Sequence, residues 1–219
     1  MAVTEHCVSE VIIRVMKEND VEEATRLLAD AFTGREPLTV CLGIKAKDDL
    51  SYAQRICERA AQDGVSMVAQ DTMRKKIVGV ATTFAMRNQE DDDVIKPLRI
   101  FRPIHALLNR LVRCFTKHPD YANVPLSKIA QFIRLAVHPD YTGRGIATML
   151  REANARLANS KGFRMAIATA TAPATHKMYA KLGFVELHEI RYEDFEFEGR
   201  RPFEGVTECK SAKLFIKSL

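Results

Sequence analysis

The chain has 219 residues, 47% hydrophobic and 28% charged, which is enough to bury a core as one domain. Its formal net charge of +5 is mild, which suits an anionic ligand and disfavours a dedicated nucleic-acid binder. The five cysteines form no C-x-x-C pair, so the pattern indicates reduced thiols and supports neither a disulfide framework nor a zinc site. With no signal-peptide pattern and no run approaching the roughly 18 apolar residues of a membrane span, we expect a cytoplasmic protein.

The sequence begins with a strand followed by a helix. Residues 11–17, VIIRVMK, are β-branched and short, which is typical of a strand. Asp20 then stands where a helix cap is expected, with Glu23 three residues later as its capping-box partner. Apolar residues recur at helical spacing from there to Phe32. We expect this helix to end at Gly34.

A second helix and a hairpin follow. The helical pattern covers about 48–63 and stops at Gly64. The segments SMVAQDT and IVGVATTFAM, residues 66–72 and 77–86, predict two strands joined by a polar turn. Gly79, inside the second of them, indicates a bulge or a close backbone contact.

Residues 88–129 interrupt the alternation and predict a helical insertion. The acidic residues 90–93 fit a loop that could also attract a cationic amine. The basic stretch around 100–117 has apolar residues at spacings of three and four, which fits a packed helix with a solvated cationic face. Binding to a membrane surface or to a calmodulin-type partner is the alternative for this helix. Cys114 has no neighbour that would activate it as a nucleophile.

The rest of the chain returns to alternating elements. We expect strands over 131–139, 164–170, 184–195 and 211–219, and helices over 145–161 and 172–183. Helices that alternate with strands, flanked by hairpin-like pairs, indicate an α/β fold with one mixed sheet covered on both faces. The sequence therefore predicts a single domain, 1–219, with about seven strands and four helices plus the insertion.

The segment VHPDYTGRGIATML, residues 137–150, runs from a strand through two glycines into a helix. A turn of this kind points unpaired backbone N–H groups and the positive end of the helix dipole at one spot, which is a phosphate-binding arrangement. Gly143, Gly145 and the small Ala147 leave room for a phosphate, and Arg144 adds charge at the rim. The segment lacks the Lys-Ser/Thr end of a P-loop and the third glycine of a dinucleotide fingerprint.

Two blocks of sequence resemble the GNAT superfamily of N-acetyltransferases. LAVHPDYTGRGIA is similar to the acetyl-CoA motif R/Q-x-x-G-x-G/A, with Thr142 in the R/Q place. ATHKMYAKLGF, residues 174–184, resembles the helix beside the pantetheine and carries Tyr179 at the tyrosine position. The resemblance implies a GNAT fold that binds acetyl-CoA without a metal. It also implies that the cofactor is bound by Leu135, Ala136, Val137, Thr142, Gly143, Arg144, Gly145, Ile146 and Ala147.

A narrower resemblance, to the insect-type arylalkylamine (dopamine) N-acetyltransferases, lies in FTGREPLTVCLG. It implies that Glu36 is the general base, with Arg35 where that family has aspartate. Two serines of the family correspond to Thr171 and Thr175, which would orient water, amine or thiol. Tyr179 would protonate the departing thiolate, and backbone N–H groups near 135–137 would bind the acetyl oxygen.

Plainer interpretations stay open for each of these side chains. Glu36 fits a solvated glutamate that caps a helix, and Tyr179 fits a packing tyrosine. The hydroxyls of Thr171 and Thr175 could simply bond to backbone. His138 is interpreted as a turn residue, and His176 as either a cofactor contact or a solvent-facing side chain.

The predicted function is acetyl transfer from acetyl-CoA to a small primary amine, by direct attack in a ternary complex. An arylalkylamine is the leading substrate, bound by the apolar face of the 100–117 helix and the segment after Glu36. Because an alkylamine is mostly protonated at pH 7, a carboxylate in an apolar pocket is needed to take its proton. The alternatives are a polyamine or protein-lysine acetyltransferase and a CoA-binding module without turnover. We expect a monomer or homodimer that binds no nucleic acid.

Overall fold

A computed structural model describes residues 11–87 and 98–219 of the chain. The acidic residues 90–93 of the predicted insertion lie outside this described part. The four cysteines within it are free thiols. No helix in these two ranges has both the length and the apolar character needed to cross a membrane.

The core is one seven-stranded sheet in the order β1-β2-β3-β4-β5-β7-β6. Only the β4–β5 pair is parallel, and the other neighbours are antiparallel. This mixed sheet confirms the predicted fold class. The strands are β1 (Val11–Val15), β2 (Met67–Asp71), β3 (Lys76–Ala85), β4 (Ile129–Val137), β5 (Met165–Ala170), β6 (Val185–Arg191) and β7 (Ser211–Ser218).

Helices cover both faces of the sheet, because each presents an apolar stripe that must be buried. The first, third and fourth helices share the largest core cluster on one face, and the fifth and sixth pack on the other. The helices are α1 (Val21–Arg35), α2 (Pro37–Cys41), α3 (Ala46–Asp63), α4 (Arg102–Thr116), α5 (Ile146–Ser160) and α6 (Pro173–Lys181).

The start and the end of α1 differ from the sequence prediction. The Asp20 side chain does not cap the helix. Its carboxylate instead accepts two hydrogen bonds of 2.7 Å from the Arg14 guanidinium, because a bidentate ion pair is stronger than a cap. The helix also continues through Gly34 to Arg35, and the short helix α2 begins at Pro37, where the sequence predicted none. Because α1 ends at Arg35 and α2 begins at Pro37, Glu36 is the single residue between the two helices.

Gly79 confirms both interpretations made from the sequence. The β2–β3 register shifts beside its partner Ala69, which marks a bulge. A Cβ atom at Gly79 would also lie 2.9 Å from the Leu150 side chain of α5. The glycine therefore allows α5 to pack closely on the sheet.

A second bulge lies in β4, where Ile133 and Arg134 together oppose Thr82 of β3. Because the extra residue shifts the strand by one position, side chains after the bulge point to the opposite face of the sheet from the one that regular alternation would give. Phe132 packs with the α5 and α6 cluster, whereas the Arg134 side chain, two residues later, bonds to α3 on the opposite face. The bulge thus turns a guanidinium toward the α1 and α3 side of the sheet.

The sheet opens between its two parallel strands. Pairing of β4 with β5 ends at Phe132 and Ala168, so the remainder of β4 runs on without β5 beside it. The His138 N–H donates to Val78 of β3 at 2.8 Å. Because N–H groups alternate in direction along a strand, those of Leu135 and Val137 point into the opening.

Candidate active site

A cavity of about 390 Å³ lies at this opening and receives side chains from both faces of the sheet. Residues of α1, α3 and α4 form one side, and residues of α5 and α6 form the other. Such a concave, mainly apolar site with few polar groups is the usual form of a small-molecule site. All four predicted catalytic residues line it: Glu36, Thr171, Thr175 and Tyr179.

Glu36 is half-buried at the junction of α1 and α2. Its Oε2 accepts the Thr39 N–H at 2.8 Å, so the side chain caps α2. Its Oε1 accepts the Thr171 hydroxyl at 2.6 Å, from a residue 135 positions later that also lines the cavity. The capping interpretation made from the sequence is therefore correct. Capping and cavity contact occur together, because the two carboxylate oxygens have different donors.

The two threonines differ in what their hydroxyls contact. Thr171 follows β5, and its backbone is held in place because the Tyr192 hydroxyl donates to its carbonyl at 2.9 Å. Its own hydroxyl is thereby directed at Glu36. The Thr175 hydroxyl instead donates to the Ala172 carbonyl at 2.8 Å in the first turn of α6. Thr175 lines the cavity with its hydroxyl turned to the backbone.

Tyr179 of α6 is buried and packs between Phe184 and Phe215, at ring distances of 5.0 and 5.6 Å. Burial raises the pKa of its phenol, and the nearby positive charge of Arg151 partly opposes that shift. Tyr179 is therefore protonated at neutral pH, as a proton donor must be.

The fully buried Arg151 was not identified from the sequence. From α5 it donates to the carbonyls of Thr82 and Arg134, which flank the β4 bulge. Burial lowers the pKa of this guanidinium.

The glycine loop before α5 has the geometry of an anion site. Gly143 and Gly145 both have φ of +77°, a left-handed conformation that side chains disfavour. Backbone geometry, as well as space for a ligand, therefore requires these glycines. The loop is exposed and leads directly into the first turn of α5, where N–H groups are unsatisfied within the helix.

Side chains of this loop divide into two groups. Thr142 and Ala147 line the cavity, as do Leu135, Ala136 and Val137 of β4. Ile146 is buried in the core under α5 instead. Arg144 folds back on its own loop, donating to the Asp140 carbonyl at 2.8 Å and lying over the Tyr141 ring.

Arg35, which takes the place of the family's aspartate, also reaches the opening in the sheet. Its guanidinium donates to the Val137 carbonyl at 2.7 Å, joining the end of α1 to the end of β4. The Val137 carbonyl therefore has a donor, and the N–H of the same residue faces the cavity side. Arg35 lines the cavity beside Glu36.

Sequence reasoning missed a buried ion pair at the cavity. Arg134 donates to both carboxylate oxygens of Asp49 at 2.6 and 2.8 Å. Its guanidinium also lies 4.3 Å from the Phe32 ring centroid and 4.8 Å from that of Tyr52. Asp49 and Arg134 are 85 positions apart, so no local sequence pattern could have joined them.

His105 of α4 was missed as well. It lines the cavity, and its Nε2 lies 2.9 Å from the Tyr52 hydroxyl. Burial, together with the positive charges of Arg134 and Arg55, lowers the pKa of His105 to about 4. His105 and Asn109 are polar residues four apart on the cavity-facing side of an amphipathic helix. That interruption of the apolar stripe was visible in the sequence.

The other two histidines of interest have structural contacts. His138 accepts the Asp140 N–H at 3.3 Å in the turn after β4, as expected. His176 is half-buried with its Nε2 3.0 Å from the Ala170 carbonyl, so it neither lines the cavity nor simply faces solvent. Burial lowers the pKa of His176. Over residues 11–87 and 98–219, His, Cys, Asp and Glu form no group of three suited to a metal ion.

The part of the chain that holds the glycine loop is similar to a known family of domains. Residues 107–186, which include β4, the glycine loop, α5, β5 and α6, match the family model described as an acetyltransferase (GNAT) domain. This part of the chain is therefore similar to a GNAT acetyltransferase domain.

Solved structures share this fold over nearly the whole chain. The C-terminal condensation domain of Ebony, in complex with beta-alanyl-dopamine, is 18% identical, with a TM-score of 0.83 over 96% of this chain and 99% of that one. A putative arylalkylamine N-acetyltransferase 7 from the mosquito Aedes aegypti is 24% identical, with a TM-score of 0.81 over 95% and 87%. Drosophila melanogaster polyamine N-acetyltransferase is 18% identical, with a TM-score of 0.75 over 96% and 100%. Insect arylalkylamine N-acetyltransferases are thus among the structural neighbours, as the sequence resemblance implied.

Proposed function

We propose that the chain transfers the acetyl group of acetyl-CoA to a small primary amine, with an arylalkylamine as the preferred substrate. One observation carries the proposal. Glu36 is the only carboxylate among the described residues that line this mainly apolar cavity, and the Thr171 hydroxyl donates to it at 2.6 Å and holds it in position. A single carboxylate suits a substrate with one amino group and an apolar body.

The residues around the glycine loop and the open edge of β4 fit acetyl-CoA. When bound, acetyl-CoA supplies an activated acetyl thioester. The loop N–H groups from 143 to 147 would bind its pyrophosphate, because the left-handed glycines and the start of α5 direct them outward. The N–H groups of Leu135 and Val137 would bind the pantetheine and the acetyl oxygen, where preformed donors stabilise developing negative charge.

Glu36 would take the proton from the bound ammonium group, directly or through a water molecule. Its fixed position is important here, because proton transfer needs donor and acceptor within hydrogen-bond reach. On the opposite side of the cavity, Tyr179 would donate a proton to the departing sulfur. The adjacent charge of Arg151 would stabilise the phenolate that this donation leaves behind.

The amine would bind on the α1, α3 and α4 side. Phe32, Phe101, Ile104 and Leu108 provide an apolar and aromatic wall there, which suits an aryl ring. We propose that residues 88–129 form an insertion covering this site, since α4 supplies much of the wall. A solved structure of this fold contains beta-alanyl-dopamine, which supports an aryl amine ligand for this chain.

A charge-only substitution tests the proposal. Glu36→Gln keeps an oxygen that can cap α2 and removes the negative charge, so the fold and CoA affinity should change little. We expect kcat for tryptamine to fall by about 10²- to 10⁴-fold at neutral pH. The deficit should shrink as pH rises, because more of the amine is then already neutral. Thiol release from acetyl-CoA measures the rate, and calorimetry measures CoA binding.

Glu208→Gln is the matched control, because Glu208 is an exposed carboxylate outside the cavity. It should keep the full rate.

A panel of tryptamine, dopamine, tyramine, spermidine and a lysine peptide identifies the substrate class. Preferential turnover of spermidine or the peptide would move the substrate to another amine, and CoA binding without turnover of any amine would indicate a binding module. An unchanged pH profile in Glu36→Gln would remove Glu36 as the base.

A further inference from the structure

Tyr52 and His105 form a polar pair in the aromatic side of the cavity. Tyr52 belongs to α3 and His105 to α4, and the Tyr52 oxygen lies 2.9 Å from His105 Nε2. The two rings meet edge to face at 5.4 Å and 67°, and Phe101 packs on the Tyr52 ring at 5.3 Å. Because both rings are packed, the position of this pair is determined by the fold.

The pair is suited to a ligand that both donates and accepts a hydrogen bond. If the Tyr52 hydroxyl donates to Nε2, the His105 Nδ1 carries the proton and is a donor. If Nε2 carries the proton, Nδ1 is an acceptor instead. The imidazole can therefore match either role of a bound hydroxyl group by changing tautomer.

The surrounding charges disfavour a second cation at this position. Arg134 lines the same part of the cavity and stacks on Tyr52. His105 is neutral at physiological pH, since burial and the charges of Arg134 and Arg55 oppose its protonation. The Asp49 carboxylate is already paired with Arg134 and does not line the cavity. The distal ammonium group of a polyamine would therefore meet no unpaired carboxylate among the described lining residues here, whereas a neutral hydroxyl would meet a hydrogen-bonding partner.

We infer that His105 and Tyr52 form a hydroxyl-binding subsite that makes the enzyme prefer aryl amines with a phenolic hydroxyl over those without one. This inference rests on the proposed function, because it assumes that the amine binds on the α3 and α4 side. Ile104, Leu108 and Phe101 around the pair would contact the ring that carries the hydroxyl.

Paired substrates test the subsite. Tyramine and phenethylamine differ by one hydroxyl, as do serotonin and tryptamine. We expect wild-type kcat/KM to favour the hydroxylated member by about tenfold, because a site built for a hydroxyl leaves its polar groups unpaired without one. Tyr52→Phe, which keeps the ring, and His105→Leu should bring this ratio to within about twofold of one.

Two further variants complete the design. His105→Gln should retain part of the preference, since an amide both donates and accepts. Arg110→Gln changes an exposed residue of α4 outside the cavity, and it should keep the wild-type ratio. Thermal unfolding of each variant shows whether the fold is retained.

The outcomes separate the subsite from the proposed function. Acetylation of all aryl amines with a wild-type ratio near one overturns the subsite alone, and so does a preference that persists in both Tyr52→Phe and His105→Leu. Turnover of spermidine without turnover of any aryl amine overturns both. A collapse of the ratio in both variants, with the ratio kept in Arg110→Gln, supports the subsite.

Discussion

Glu36 shows how one side chain serves both the fold and the site. One carboxylate oxygen caps α2 and the other accepts the Thr171 hydroxyl. The Tyr192 hydroxyl donates to the Thr171 carbonyl and so fixes the threonine. Hydrogen bonds to a charged acceptor are stronger than neutral ones, so this chain of contacts limits the positions open to the carboxylate.

Removing the Thr171 hydroxyl should therefore impair catalysis through Glu36. In Thr171→Val, which has nearly the same shape, the carboxylate loses one of its two donors. We expect kcat/KM to fall by about ten- to a hundredfold, the range for losing a hydrogen bond to a charged group. Steady-state kinetics on an aryl amine provide the measurement.

Thr171→Ser is the control, because it keeps the hydroxyl and should retain most of the activity. A larger loss in the serine variant than in the valine variant would indicate that the methyl group, and thus packing, is what matters at this position.

At the scale of elements, the strand–loop–helix unit of β4 and α5 carries most of the predicted cofactor site. From the sequence, the two glycines were interpreted as leaving space for a phosphate. The left-handed φ of both residues adds a backbone requirement, and no atom outside the adjoining residues lies within 4 Å of a Cβ built at either position. A side chain there would thus extend into open space beside the proposed phosphate position.

Substitutions at Gly145 can separate backbone strain from charge. Asn and Asp have almost the same shape and tolerate the left-handed region similarly, so Gly145→Asn and Gly145→Asp should lose similar stability, about 1 kcal/mol. Only Asp places a negative charge at the proposed pyrophosphate site. We expect its CoA affinity to be lower than that of the Asn variant by about tenfold or more.

Calorimetry at low ionic strength measures this difference, and added salt should reduce it. Equal CoA affinities in the Asn and Asp variants would contradict the placement of the pyrophosphate at this loop.

At the scale of the whole molecule, the opening between β4 and β5 allows one cavity to receive residues from both faces of the sheet. The buried Asp49–Arg134 pair joins α3 to the β4 bulge beside this opening. A buried pair of this kind contributes little net stability, yet removing one partner leaves an uncompensated charge. The charge of Arg134 also lowers the pKa of His105. The free energy of unfolding should therefore depend on pH through His105.

Acid should destabilise the fold through His105. Because its pKa falls from 6.5 to about 4 on folding, the unfolded chain binds more protons between those two values. Stability from this group is present above pH 6.5 and is lost as pH falls to 4, by up to about 3 kcal/mol. His105→Asn should lose less stability than the wild type between pH 7 and pH 4.

Denaturant unfolding at a series of pH values measures this effect. His188→Asn, at an exposed position on β6, should follow the wild-type curve. The same pH dependence in the wild type and the His105→Asn variant would show that folding does not lower the pKa of His105.

The sequence by itself determined the order and type of most elements, because hydrophobic period, glycine stops and strand composition are local properties. It also indicated the glycine loop, and by resemblance it singled out Glu36, Thr171 and Tyr179. Only the tertiary structure decided how Glu36 meets Thr171 over 135 positions and how the β4 bulge turns Arg134 toward Asp49. The Tyr52–His105 pair is of the same kind, since its members lie 53 positions apart. Contacts of this kind depend on strand register and helix packing, which bring together residues that no local pattern connects.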